Sequence, residues 1–209
     1  MVENFITLNG MPGTGKTTLA LLLHEEEDYE IVSVHDLHIS ISKKLRMDTE
    51  DFIELINSNS QMQKRYDKMV NRAIREKEIK FTGKKVVFNT RASFSLIKNA
   101  VHILLLAEPD VATERLYSRY EKLNLHHNEI KDRILKISQK ETHRFSRQIN
   151  AGYLNPVHYD IVIDTTNLSI ENVKNIVLHK SKEIMTKRSM ELLNELTGIK
   201  SKRGGPSWS

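Results

Sequence analysis

Gly10-Met11-Pro12-Gly13-Thr14-Gly15-Lys16-Thr17-Thr18 lies between a short apolar, β-branched run, Asn4-Phe5-Ile6-Thr7-Leu8-Asn9, and a helix-forming run, Thr18-Leu19-Ala20-Leu21-Leu22-Leu23-His24. The first eight, Gly10 to Thr17, fit G-x-x-x-x-G-K-[ST], and a strand before with a helix after is the context in which that pattern wraps a polyphosphate. Each fixed position answers a physical demand. Glycines at 10, 13 and 15 admit backbone angles closed to other residues and let the chain come close to phosphate oxygens. Backbone N–H groups then line an anion cradle, reinforced by the positive end of the helix that begins near Lys16. The Lys16 ammonium can bridge the outer phosphates, and the Thr17 hydroxyl can ligate Mg²⁺. The expected ATP-binding set is therefore Gly10, Met11, Pro12, Gly13, Thr14, Gly15, Lys16, Thr17 and Thr18.

Outward from the loop, four more apolar runs read as strands: Glu30-Ile31-Val32-Ser33-Val34, Lys85-Val86-Val87-Phe88-Asn89, Val101 to Ala107, and Asp160 to Thr165. Their continuous Val/Ile/Leu character, without alternation, suits a parallel sheet covered on both faces. Helical stretches separate them, so the fold class is α/β, a five-stranded parallel sheet with right-handed crossovers. Two connections are longer than a crossover needs. Leu37–Lys80 holds roughly two helices around a polar middle, Asn57-Ser58-Asn59-Ser60. Asp110–Tyr159 holds an arginine-studded helix, the polar stretch Asn124–Asn128 and a second charged helix. Ligands of such sheets sit beyond the carboxyl ends of the strands. Two excursions there suit an enzyme that holds a second substrate and excludes water. After Thr165 a long helix is expected, capped by Ser169, running to about Leu196 and ended by Gly198. The tail 198–209 is basic and Gly/Pro-rich, and is expected to be disordered.

Composition sets the outer limits. A chain of 209 residues, with 39% apolar and 28% charged residues, is long enough for one ordinary globular domain with a real core. No apolar run reaches the ~18 residues of a membrane span. A strand begins almost at once, so no leader peptide is expected, and a chain without cysteine is compatible with the cytoplasm. The net charge of +5 admits a nucleic-acid binder. The basic residues are scattered, however, with no aromatic-interleaved pattern, and polyanionic nucleotides account for the charge equally well. The nine histidines show no zinc-motif spacing, and no nucleophile elbow is present.

Several segments together resemble the nucleoside monophosphate kinases, most closely the archaeal-type cytidylate kinases. They are the GMPGTGKTT loop, VSVHDL after strand two, VVFNTR after strand three, ILLLAEPDVATERLYSRY, and HYDIVIDTTNLSIENV. The likeness spans roughly Phe5 to Leu178. It implies a P-loop kinase domain over 1–197, with 37–80 as the acceptor-binding excursion and 110–159 as the lid region. It also implies transfer of the ATP γ-phosphate to a pyrimidine nucleoside monophosphate by a Mg²⁺-dependent, monomeric, cytoplasmic enzyme. Such chemistry needs positioning and cations more than covalent work. Arg115 and Arg119 share one helical face, as do Lys136, Lys140 and Arg144. Lys16, Arg115, Arg119 and Arg144 are the expected catalytic cations. Asp164 is expected to brace the loop from strand five.

The acceptor half departs from the family pattern. Where the family carries a glycine after strand two and then an arginine for the acceptor phosphate, this chain has His35 and Ile39. Where the family carries an acid, glycine and arginine after strand three, it has Asn89-Thr90-Arg91. In the lid helix Ile137 falls where an arginine is expected, and Lys140 replaces another without its bidentate fork. Arg91 and Asp36 are the expected acceptor-binding residues, with Arg46 or Lys43 as substitutes for the missing cation. Two alternatives remain open. Asp36 could be the base of a kinase acting on a hydroxyl, since His35-Asp36-Leu37-His38 weakly resembles gluconate- and shikimate-type kinases. The chain could also bind ATP without turnover. A plainer role for Asp36 is to cap the next helix or hold a metal water.

Overall fold

The computed structural model describes residues 4–47, 52, 55–56, 58–90, 93–120, 126–149 and 152–197. In it the five expected strands form one sheet: β1 (Asn4–Gly10), β2 (Glu30–Ser33), β3 (Lys85–Asn89), β4 (Ala100–Leu106) and β5 (Ile161–Asp164), in the order β2-β3-β1-β4-β5. Every neighbouring pair is parallel. The helices between them are α1 (Lys16–Glu27), α2 (Val34–Leu45), α3 (Ser60–Lys80), α4 (Pro109–Tyr120) and α5 (His127–Ile149), with α6 (Ile170–Thr197) after β5. None of these helices, among the described residues, is long and apolar enough to cross a membrane.

The unbroken apolar runs have a direct cause, since both faces of the sheet are covered. Ile6 and Leu8 pack with Leu19 and Leu23 of α1 and with Val173 and Val177 of α6. Phe5, Val86 and Phe88 turn to the other face, against Tyr66, Val70 and Ile74 of α3. Each such side chain withdraws apolar surface worth about 1.5–3 kcal/mol. The polar residues of β1 are satisfied inside the core. Thr7 Oγ1 pairs with His102 Nδ1 at 3.0 Å, and Asn9 Nδ2 donates to the Ile103 carbonyl at 3.2 Å.

Local chemistry sets the element ends. Strand two was expected to include Val34, but Ser33 ends β2 because it caps α2. Its backbone is extended and its Oγ accepts the Asp36 N–H at 3.3 Å. The cap is therefore Ser33, not Asp36. In the polar middle of the first excursion, Asn59 Oδ1 accepts the N–H groups of Gln61 and Met62 and starts α3. Ser169 Oγ accepts the Asn172 N–H at 3.2 Å at the start of α6. Gly198 and the tail lie outside the described residues. At the amino ends of the strands, Arg188 of α6 donates to the Ala100 carbonyl at 2.8 Å and to Asp160 at 2.6 Å, while the other Asp160 oxygen accepts the His102 N–H at 2.8 Å.

Candidate active site

The loop hangs from the carboxyl end of β1, about which the strand order reverses, and this is where an open α/β sheet forms its crevice. Gly10, Gly13 and Gly15 have φ of 135°, 81° and 90°. Gly13 lies so close to α4 that a Cβ there would stand 2.5 Å from the Ala112 carbonyl oxygen and 2.7 Å from its Cβ. Thr14 Oγ1 donates to the Met11 carbonyl at 2.9 Å. Lys16 Nζ folds back onto the carbonyls of Gly10 and Met11, at 2.8 and 2.6 Å. The residue before α1, Gly15, supplies no side-chain acceptor, and the first turn holds no acid. The start of α1 therefore has no capping side chain and no acid of its own, which is the arrangement an anion-binding helix end requires.

Three neighbours brace this loop: Arg115, which the sequence marks as a site residue, and Tyr153 and Thr165, which sequence spacing does not reveal. Tyr153, 1% exposed, lies under it. Its hydroxyl accepts the Gly10 N–H at 3.3 Å and donates to the Gly10 carbonyl at 3.2 Å. Tyr159 Oη in turn donates to the Tyr153 carbonyl at 2.5 Å. Burial, with Tyr153 nearby, pushes the Tyr159 hydroxyl far above its ordinary range, so it stays a donor. Arg115 of α4 donates to Thr165 Oγ1 and the Thr165 carbonyl, at 2.9 and 2.6 Å, and reaches the Gly13 carbonyl at 3.4 Å. Thr165 Oγ1 lies 3.4 Å from the Thr14 carbonyl. The expected brace from Asp164 is therefore replaced by Thr165, just after β5, whose hydroxyl donates to the Leu106 carbonyl at 2.9 Å and which holds Arg115 against the loop. The Asp164 carboxylate accepts the Thr166 hydroxyl and N–H, at 2.5 and 2.9 Å, and those two bonds hold it below the usual carboxylate range.

Asn89, at the end of β3, meets the loop. Its Nδ2 lies 3.2 Å from Thr17 Oγ1, the hydroxyl available to a metal. A hydroxyl oxygen beside phosphates fits a hard cation such as Mg²⁺, and Thr17 is the residue that would hold it. Asp36 is exposed in the first turn of α2, beyond the carboxyl end of β2. Arg144 of α5 pairs with Asp67 of α3, both side chains 19% exposed, so that one ion pair joins the two excursions. Its neighbour Phe145 packs on Tyr153 with ring centroids 5.3 Å apart. Lys136 and Lys140 are exposed along α5. Arg91 lies outside the described residues, as do the side chains of Arg119 and Ile137. The structure therefore brings together the loop, Arg115, Thr165, Tyr153 and Asn89, and sets Arg144 against Asp67.

A family model described as the cytidylate kinase-like family matches residues 5–167, which is most of the described sheet and both excursions. The chain belongs to the cytidylate kinase-like family. The cytidylate kinase of Methanocaldococcus jannaschii is 28% identical over 176 residues, covering 82% of this chain and 94% of that protein. An S-adenosylmethionine-dependent nucleotide dehydratase of Lacinutrix mariniflava is 27% identical over 83% of this chain, which spans only 35% of that longer protein. A gluconokinase from Sinorhizobium meliloti shares the fold at a TM-score of 0.57 and 12% identity, covering 91% of this chain and 98% of that one. Family and fold are those of P-loop kinases, which are phosphotransferases with ATP as donor and a small-molecule acceptor.

Proposed function

We propose that this cytidylate kinase-like protein transfers the γ-phosphate of ATP to the phosphate of a pyrimidine nucleoside monophosphate, CMP or dCMP in kind. One observation carries the reading most. The family match extends over residues 5–167, from β1 to β5, and so takes in both excursions. In the reaction an acceptor phosphate oxygen bonds to the γ-phosphorus as the bond to the bridging oxygen breaks, leaving ADP. Backbone groups of Gly10–Thr18 would cradle the β- and γ-phosphates, Lys16 would stabilise the moving charge, and Thr17 would ligate Mg²⁺. Arg115, already beside the loop, and Arg119 would face the phosphates, and Arg144 would join them on leaving Asp67. Arg91 grips the acceptor phosphate, and Asp36 orients the acceptor or a metal-bound water. Residues 37–80 carry the acceptor and 110–159 close as the lid of a monomeric, cytoplasmic enzyme.

A hydroxyl acceptor, with Asp36 as base, is the second reading. It is supported by the exposure of Asp36 at the end of β2 and by Ile39, which supplies no cation for an acceptor phosphate. A panel of acceptors, scored by ADP release from Mg-ATP, separates the two. CMP, dCMP or UMP should be phosphorylated, and Arg91→Ala should raise the acceptor KM about tenfold or more, the scale of one lost charge-assisted pair. ATP binding without turnover on any nucleoside monophosphate would reject the first reading. Turnover on a hydroxyl compound that Asp36→Ala abolishes would establish the second.

A further inference from the structure

Tyr66, next to Asp67 on α3, buries a hydroxyl that bonds to nothing. The residue is 7% exposed, and its Oη has no hydrogen-bond partner among the described residues. The ring packs on His38 of α2 at 5.4 Å between centroids and on Phe52 at 5.7 Å. Burial pushes the hydroxyl well above its ordinary range, with Arg144 opposing and Asp67 reinforcing the shift, so it keeps its proton. Leaving such a group unpaired is costly, and a ligand that pairs it recovers the cost.

The chain path puts this hydroxyl at the ligand end of the sheet. α3 ends at Lys80, just before β3 begins, so its first turns lie toward the carboxyl ends of the strands. The helix carries Tyr66 roughly 21 Å back from Lys80, against roughly 16 Å for the whole of β3. There Asp67 meets Arg144 of α5, so Tyr66 stands where the two excursions join. Once Arg144 moves to the phosphates, the Asp67 carboxylate needs another donor, while the tyrosine hydroxyl can donate in its turn. An amine beside an unprotonated ring nitrogen, as in cytosine and adenine, supplies a donor and an acceptor side by side. Uracil presents the reverse, a carbonyl beside a ring N–H, and would set its oxygen against the carboxylate.

We propose that Tyr66 and Asp67 determine acceptor specificity by seating an exocyclic amine and the ring nitrogen beside it, and that Asp67 takes the amine in exchange for Arg144. The inference rests on the monophosphate-kinase reading, to which it adds the choice of base and the release of Arg144. An acceptor without the amine leaves Arg144 on Asp67, and is therefore slower in kcat as well as weaker in KM.

Steady-state kinetics with CMP, UMP and AMP, alongside urea unfolding of the free protein, test this on the wild type, Tyr66→Phe and Asp67→Asn. The wild type should favour CMP over UMP about tenfold or more in kcat/KM. Tyr66→Phe should raise the CMP KM about three- to tenfold and leave the ATP KM alone. It should not lower the unfolding midpoint, because the lost hydroxyl bonds nothing in the free protein. Asp67→Asn, whose amide can turn over to donate to a carbonyl, should cut the CMP/UMP ratio about tenfold or more. Should Asp67→Asn fail to fold, Tyr66→Phe decides. An unchanged ratio in folded Asp67→Asn, an unchanged CMP KM in Tyr66→Phe, or a lowered Tyr66→Phe midpoint overturns the inference and leaves the monophosphate-kinase reading standing. Turnover of AMP in place of CMP, with the same response to both variants, upholds the inference and overturns the pyrimidine reading. Absence of turnover on any nucleoside monophosphate by the wild type overturns both.

Discussion

Gly13 and Gly83 share a φ of 81° but not their surroundings, which turns two alanine substitutions into a measurement of how tightly α4 presses on the loop. Gly83 lies between α3 and β3, and a Cβ there meets nothing within 4 Å. Gly83→Ala should cost only the left-handed backbone penalty, about 1–2 kcal/mol. At Gly13 the same penalty applies, and the new Cβ also meets the Ala112 carbonyl oxygen at 2.5 Å and the Ala112 Cβ at 2.7 Å. Overpacking of that kind adds about 1–3 kcal/mol, for roughly 2–5 kcal/mol in all. Each replacement also removes backbone freedom from the unfolded chain, and this gain cancels in the comparison. Urea unfolding of the two variants should show equal slopes and a larger midpoint shift for Gly13→Ala. Ala112→Gly should relieve the Cβ overlap but not the carbonyl one, giving partial rescue. If Gly13→Ala costs no more than Gly83→Ala, α4 does not bear on the loop. The support drawn from Arg115 and Thr165 would then fail as well.

Three further outcomes are expected. Burial holds the His102 imidazole below its ordinary pKa, the Asp160 charge opposing and the Arg188 charge reinforcing the shift. The unfolded chain therefore takes up the proton first, so stability should decline as pH falls below about 6.5, and His102→Gln should flatten that decline in urea unfolding between pH 8 and 5. Arg188→Ala removes the bonds to Ala100 and Asp160, whose partly exposed geometry limits the loss to about 1–2 kcal/mol; an unfolding midpoint equal to wild type would show α6 is anchored elsewhere. Tyr153→Phe strips both hydroxyl bonds from Gly10, so it should lower stability by about 1–2 kcal/mol and weaken ATP binding several-fold by calorimetry.

Strands were legible wherever burial is two-sided, because both faces then demand apolar residues. The third strand, Lys85–Asn89, has the bounds read from its sequence. Errors fell at ends governed by a single hydrogen bond. Val34 looks like strand, yet the Ser33 hydroxyl has already turned the chain into α2. Within the site, Lys16 and Thr17 could be named because backbone needs local to nine residues select them. The braces could not. Tyr153 meets Gly10 across 143 positions, Thr165 meets Thr14 across 151, and Asn89 meets Thr17 across 72. No periodicity links residues so far apart. Asn89 stood out in the sequence only as a departure after strand three; its contact with Thr17 of the loop came from the structure.

The sequence alone determined that a glycine-rich loop of the G-x-x-x-x-G-K-[ST] pattern joins a buried strand to a helix, since the pattern sets glycine freedom, a lysine and a hydroxyl within one short span. Tertiary structure alone decided what stands around that loop: a tyrosine beneath it, an arginine and a threonine against its carbonyls, and an amide beside the Thr17 hydroxyl. The reason is physical. Backbone preference acts between neighbours in the chain, whereas hydrogen bonds and charge act between neighbours in space, which the strand order β2-β3-β1-β4-β5 creates.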